Sequence, residues 1–131
     1  MSKKIRVTSP HVSEPPAGLW SNCLQVDDTL YISGLTARAP DDSIPETAYE
    51  QAKTIFQKMK YLIEAAGGKM NDMVTLTIFV TRISDNTEIW RARKEFFSGD
   101  FPACALIEVK GLAKPELLVE IQGQARLGAG G

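Results

Sequence analysis

A chain of 131 residues, 44% of them hydrophobic and with a net charge of −1, suits one domain around one core. That charge, with a pI of about 5.8, lacks the dense basic patch that nucleic acid or an anionic membrane rewards, and no apolar run is long enough to span a bilayer. Met1-Ser2-Lys3-Lys4 leads into no apolar stretch, so no signal peptide is read and the expected compartment is the cytoplasm.

Residues 3–8 alternate weakly and predict a first strand. Pro10, Pro15, Pro16 and Gly18 make 9–18 a loop. Two strand-like runs, 20–26 and 29–34, flank Asp27-Asp28 as a hairpin, the second ending on Ser33-Gly34. After a polar loop over 35–44, Ala48, Ala52, Ile55, Met59, Leu62 and Ile63 recur at helical spacing. They predict a long helix from Pro45 to Ala66, with Ser43 as its cap and Gly67-Gly68 as its stop. Residues 72–81 alternate as a strand, Val74, Leu76, Ile78 and Val80 on one face. Ser84-Asp85-Asn86 offers a cap for a second helix over roughly 86–97. Two last strands are predicted near 103–110 and 116–126, and the glycine-rich tail, about 127–131, is expected to be disordered.

The order β-β-β-α-β-α-β-β over 1–131 implies a single α+β domain, one mixed sheet with both helices packed on one face. Cys23 or Leu24, Leu76 or Phe79, and Leu106 would make the other face half apolar, which points to burial in a homo-oligomer.

No phosphate loop, dinucleotide fingerprint, HExxH or GxSxG motif occurs, so no cofactor and no metal is implied. Cys23 and Cys104 form no CxxC pair and are read as free thiols. His11, the one histidine, lies in a Pro- and Ser-rich loop, where a hydrolytic triad has little to build on. Glu120 is the most informative residue. Period-two alternation puts Leu118, Glu120, Gln122 and Gln124 on one face and Leu117, Val119 and Ile121 on the other. A carboxylate there is either a solvated residue or, in a part-buried cleft, a group that holds and deprotonates water. Cys104 is either a small buried hydrophobe or a thiol tuned by a positive neighbour. Trp20 and Trp90 are either core or pocket wall, core being favoured for one of them. Ser33 either binds a ligand or closes a turn. Arg91, Arg93 and Lys94 form a small basic run, solvated and paired with Glu88 or Glu95.

Five collinear stretches resemble the Rid/YjgF (reactive intermediate deaminase) family, also labelled endoribonuclease L-PSP. They are Leu30-Tyr31-Ile32-Ser33-Gly34; the helix from Ala48 to Gly67; the strand Asp72 to Val80; Glu95-Phe96-Phe97; and Phe101-Pro102-Ala103 through Glu108-Val109, Leu112 and Val119-Glu120-Ile121. Together they span about 19–125. The resemblance implies a chorismate-mutase-like fold and a homotrimer whose small-molecule clefts lie between subunits. Active members hydrolyse imines and enamines to ammonia and a 2-oxo acid. An arginine in a Pro-Ala-Arg motif binds the substrate carboxylate and a last-strand glutamate positions water. Position by position the glutamate falls on Glu120 and the serine on Ser33, followed by Gly34. The arginine falls on Cys104, the family's tyrosine on Trp20 and its asparagine on Trp90. A thiol cannot reproduce the paired charge-assisted bonds of a guanidinium, so the family's usual route for 2-imino acids loses its anchor. Arg38 and Lys110 are candidates for a replacement charge from a neighbouring subunit. Two readings stay open: a deaminase acting through Glu120, with Cys104, Ser33, Gly34, Trp20 and Trp90 lining the cleft, or a non-catalytic binding or sensor trimer. A ribonuclease fits poorly with the acidic pI and lone histidine.

Overall fold

The computed structural model describes residues 2–131; Met1, which opens the N-terminal segment read above, lies outside them. The elements are β1 (Ile5–Arg6), β2 (Cys23–Val26), β3 (Thr29–Leu35), α1 (Ala48–Ala65), β4 (Met73–Val80), α2 (Asn86–Arg93), β5 (Ala103–Glu108) and β6 (Val119–Arg126), in the predicted order. They build one six-stranded mixed sheet, ordered β1-β2-β3-β6-β4-β5. β4 and β5 run parallel, with α2 in the connection between them, and the remaining pairs are antiparallel. The β2–β3 hairpin turns on Asp27, whose φ of 51° lies in the left-handed region that aspartate tolerates.

The core forms where the apolar stripe of α1 meets one sheet face. Ile55, Phe56, Met59, Leu62 and Ile63 pack with Leu30 and Ile32 of β3, Leu76, Ile78 and Val80 of β4, and Val119, Ile121 and Ala125 of β6. β6 sits at the centre of the sheet because its inward residues are buried at every second position while Glu120, Gln122, Gln124 and Arg126 point away. Gln51 is fully buried in α1 and makes three bonds. Its Nε2 donates to the Pro45 carbonyl (2.8 Å) and the Glu116 carbonyl (3.0 Å), and its Oε1 accepts from the Leu118 N–H (2.8 Å). It ties the helix to the segment that enters β6.

Several predicted details change. The cap of α1 is Thr47, which accepts from the Glu50 N–H at 3.1 Å; Ser43 bonds Asp41 instead, and Pro45 stays outside the helix. α2 ends at Arg93, short of the predicted 97. A register shift between Met73 and Thr75 turns Met73 into the core and leaves Val74 exposed, against the predicted alternation. Leu106 pairs with Ile78 and so lies on the helix side, and Leu76 and Cys23 also face inward; the outward apolar residues are Leu24, Phe79 and Ile107. The tail, predicted to be disordered, is bonded: the Leu127 N–H donates to the Asp28 carbonyl and the Gly130 N–H to Asp72 Oδ1, both at 2.8 Å. A methyl on Gly130 would come within 2.6 Å of the Asn71 backbone, so glycine is what lets the tail approach. Burial pushes the Asp72 carboxyl up, but backbone bonds from Gly130, Lys69 and Gly128 outweigh it and hold the group below the usual carboxylate value.

No helix among the described residues is long and apolar enough to cross a membrane.

Candidate functional site

β6 presents Glu120 on the sheet face away from the helices, opposite Phe79 of β4. Burial raises its carboxyl pKa, and among the described residues no side chain or backbone N–H bonds or pairs with it. On its other side lies β3, whose register against β6 shifts between Ile32 and Leu35. That bulge carries Ser33 and Gly34, in keeping with the way bulges re-aim a strand beside a functional group. A methyl on Gly34 would collide with a Glu120 carboxylate oxygen and lie 3.0 Å from its Cδ. Glycine here serves close approach, since its φ is not in the left-handed region.

Ser33 is held at both ends: its N–H donates to the Asn22 carbonyl (2.9 Å) and its hydroxyl to the Ser21 carbonyl. These bonds fasten the loop that carries Trp20, which is 53% exposed, against β3. Trp20, Ser33, Gly34 and Glu120 line one cavity of about 790 Å³, of the size that takes a small metabolite. Its wall also includes Arg38, Lys58, Asn22 and Glu14. Arg38 pairs with Asp42 at 3.3 Å. Lys58 was missed in the sequence because it reads as a solvated helix residue. Its Nζ donates to the Thr36 carbonyl (2.7 Å) and the Arg38 carbonyl (3.0 Å), and burial, then repulsion from Arg38, lowers its pKa.

Cys104 and Trp90 do not join this group. Cys104 pairs with Leu76 and so faces the helix side of the edge strand β5, across the sheet from Glu120. Arg93 of α2 donates from Nη1 to the Cys104 sulfur at 3.2 Å. Burial raises the thiol pKa despite the opposing pull of Arg93, which disfavours the nucleophilic thiolate. Trp90, one turn before Arg93, is 46% exposed, so neither tryptophan is core. Of the predicted basic run, Arg91 does pair with Glu88 (3.4 Å) and stacks on Tyr49, whereas Arg93 meets the thiol.

The remaining candidates fall outside both groups. Lys110 is exposed and does not line the cavity. His11 stacks on Tyr61 with ring centroids 4.5 Å apart. Cys23 is buried, its pKa pushed up to about 12 by burial and then by Glu14. No cluster of metal-ligating side chains occurs among the described residues.

A family model described as Endoribonuclease L-PSP matches residues 11–127. A 2-iminobutanoate/2-iminopropanoate deaminase from Dermatophagoides farinae is 34% identical over 117 residues, which cover 87% of this chain and 90% of the relative. A Pseudomonas aeruginosa protein of unknown function has the same fold with a TM-score of 0.88 and 42% identity, covering 98% of this chain and 95% of its own. RidA from the Antarctic bacterium Psychrobacter sp. superposes with a TM-score of 0.85 at 28% identity, covering 94% and 99%. The Rid protein YyfA from Yersinia pestis does so with 0.86 at 25% identity, covering 95% and 100%. With its sheet order, its helix layer and these matches along nearly its whole length, the chain belongs to the Rid/YjgF family.

Proposed function

We propose that this protein is a hydrolytic deaminase of imines, or of the enamines that tautomerise to them, working in clefts between the subunits of a homotrimer. The observation that carries the reading is Glu120: a carboxylate in a concave cavity against a glycine, without a partner among the described residues and with a raised pKa. A raised pKa makes such a carboxylate a stronger base toward water than an ordinary glutamate. Glu120 takes a proton from water as the water oxygen bonds to the imine carbon and the C=N electron pair moves to nitrogen. The proton passes to nitrogen, and the carbinolamine loses ammonia and leaves a carbonyl. The step balances as imine plus water giving the carbonyl compound plus ammonia, with no change of oxidation state. The likeness to a 2-iminobutanoate/2-iminopropanoate deaminase supports the same reaction class here. The uncovered sheet face, with Tyr31 46% and Ile107 43% exposed, supports the trimer.

A second reading, a trimer that binds a small metabolite without converting it, is favoured by Cys104, whose thiol aligns with the family's anchoring arginine and cannot make its paired charged bonds. Imines generated in situ by an amino-acid oxidase, with carbonyl release followed by semicarbazide trapping, separate the two. The deaminase reading expects acceleration over buffer that falls at least about a hundredfold in Glu120→Gln, the usual scale for a general base. It also expects an acid limb of kcat/KM lying above the ordinary carboxylate range. No acceleration across acidic and neutral imines leaves the binding reading; full activity in Glu120→Gln removes the role of Glu120.

A further inference from the structure

We propose that Lys58 and Arg38 form a subsite for an acidic group at the far end of a ligand, in the same cavity as Glu120 but apart from it. The ligand class is then a ketone or imine whose carboxylate sits several bonds from the reacting carbon rather than on the next atom. The inference rests on the reading of this cavity as the place of reaction.

The charged side chains that line the cavity are Glu14, Arg38, Lys58 and Glu120. Glu14 is occupied within the protein, one carboxylate oxygen on Arg6 at 3.0 Å and the other on Asn22 Nδ2 at 3.2 Å. Lys58 pairs with no carboxylate among the described residues. Its ammonium has three donors; the Thr36 and Arg38 carbonyls take two of them, at 2.7 and 3.0 Å, and one is left. Arg38 pairs through Nε with the exposed Asp42 at 3.3 Å, and its side chain makes no hydrogen bond among the described residues. Its guanidinium fork therefore keeps donors for a planar anion. The two cations repel each other, which adds to burial in lowering the Lys58 pKa. Neighbouring like charges on a cavity wall attract an anion more strongly than either does alone.

The wall that carries this charge is held in place by the protein itself. Besides the two bonds from Lys58, the Ala39 N–H donates to the Ser43 carbonyl (2.8 Å) and the Asp42 N–H to the Ala39 carbonyl (2.9 Å), closing the turn that follows Arg38. A wall ordered in advance loses less freedom on binding. Glu120 stands apart from the pair. Neither cation forms an ion pair with it, and burial raises its pKa with no positive charge pulling it down. A ligand whose reacting carbon lies at Glu120 meets the cations with its other end. Position 104 does not line this cavity, so the subsite does not depend on the residue that stands there.

Calorimetric titration of the full-length protein tests the assignment. The probes are 4-oxopentanoate, 5-oxohexanoate and 6-oxoheptanoate, each beside its uncharged amide, with 2-oxopentanoate as the acid whose charge adjoins the carbonyl. The expected result is that at one chain length the acid binds at least about tenfold tighter than its amide, the scale of one charge-assisted bond, and tighter than 2-oxopentanoate. That length measures the span from Glu120 to the cations. Arg38→Gln and Lys58→Gln each lose most of the preference and leave the amide unchanged. Equal binding of acid and amide at every length overturns the inference, as does a stronger hold on 2-oxopentanoate than on every terminal acid. So does a preference that survives in both variants, or an equal loss for acid and amide in both, which marks a structural role for the wall. Arg38 is exposed, so Arg38→Gln decides the matter if Lys58→Gln fails to fold. Imine turnover is read separately. A terminal-acid preference that depends on Arg38 and Lys58 in a protein without turnover keeps the subsite and removes the deaminase reading. Turnover that depends on Glu120, with no preference among the probes, does the reverse.

Discussion

Glu120 and Gly34 approach each other across the β3–β6 pair without room for a Cβ, and that contact sets where the Glu120 carboxylate stands in the cavity. Gly34→Ala is therefore expected to leave the fold intact, because the far end of Glu120 can rotate, and to lower turnover by at least about tenfold, because misplacement of a reacting group by an ångström is costly. Melting temperature and kcat/KM measured together check it; unchanged turnover would mean that the carboxylate position is not tuned. The raised pKa of Glu120 also has a consequence for stability. Because the folded value lies above the unfolded one, the fold favours the protonated form. That stability is complete below the unfolded pKa, about 4.3 for a glutamate, and is lost as pH rises through the folded value. Glu120→Gln, which mimics the protonated form, is accordingly expected to melt higher than wild type at pH 7, with the gap closing near pH 4. A variant that melts lower at pH 7 would show that the ionised carboxylate is favourably held after all.

Among the elements, α1 and β6 are joined by one polar side chain. Gln51, fully buried in the helix, satisfies two carbonyls and the N–H of Leu118, two residues before Glu120. In Gln51→Leu three backbone groups lose their partner, each at about 1–3 kcal/mol when left buried. Denaturant unfolding is expected to show a loss of several kcal/mol, with greater proteolysis around 113–118. A loss under about 1 kcal/mol would mean that water reaches those groups and that the helix does not hold the entry to β6. The long helix was legible from its apolar spacing, and β6 from its alternation. The Val74 bulge and the bonded tail were not, since each depends on a group distant in the chain, as Gly130 depends on Asp72; the Thr47 cap is a local bond to the Glu50 N–H, and Ser43 offered the same chemistry four residues earlier.

For the whole molecule, the sheet has one face covered by α1 and α2 and one face that neither helix covers, carrying Leu24, Tyr31, Phe79 and Ile107. If that face and the β5 edge meet a second copy, Ile107→Glu is expected to shift the mass in light scattering from trimer to monomer. It would abolish turnover and leave the far-ultraviolet circular dichroism unchanged. An oligomer that persists would place the contact elsewhere, and a wild-type monomer would dismiss the interface cleft. The residues themselves determined the element order, the helix face and the two faces of β6, because periodicity is a local property of the chain. They also marked Glu120 as a carboxylate in an apolar strand. The tertiary structure decided what no local pattern carries: that β6 inserts between β3 and β4, that a bulge brings Gly34 against Glu120, and that Cys104 faces Arg93 on the opposite side of the sheet. Strand partners and bulges follow from how separate segments share one core, and only the packed chain fixes them.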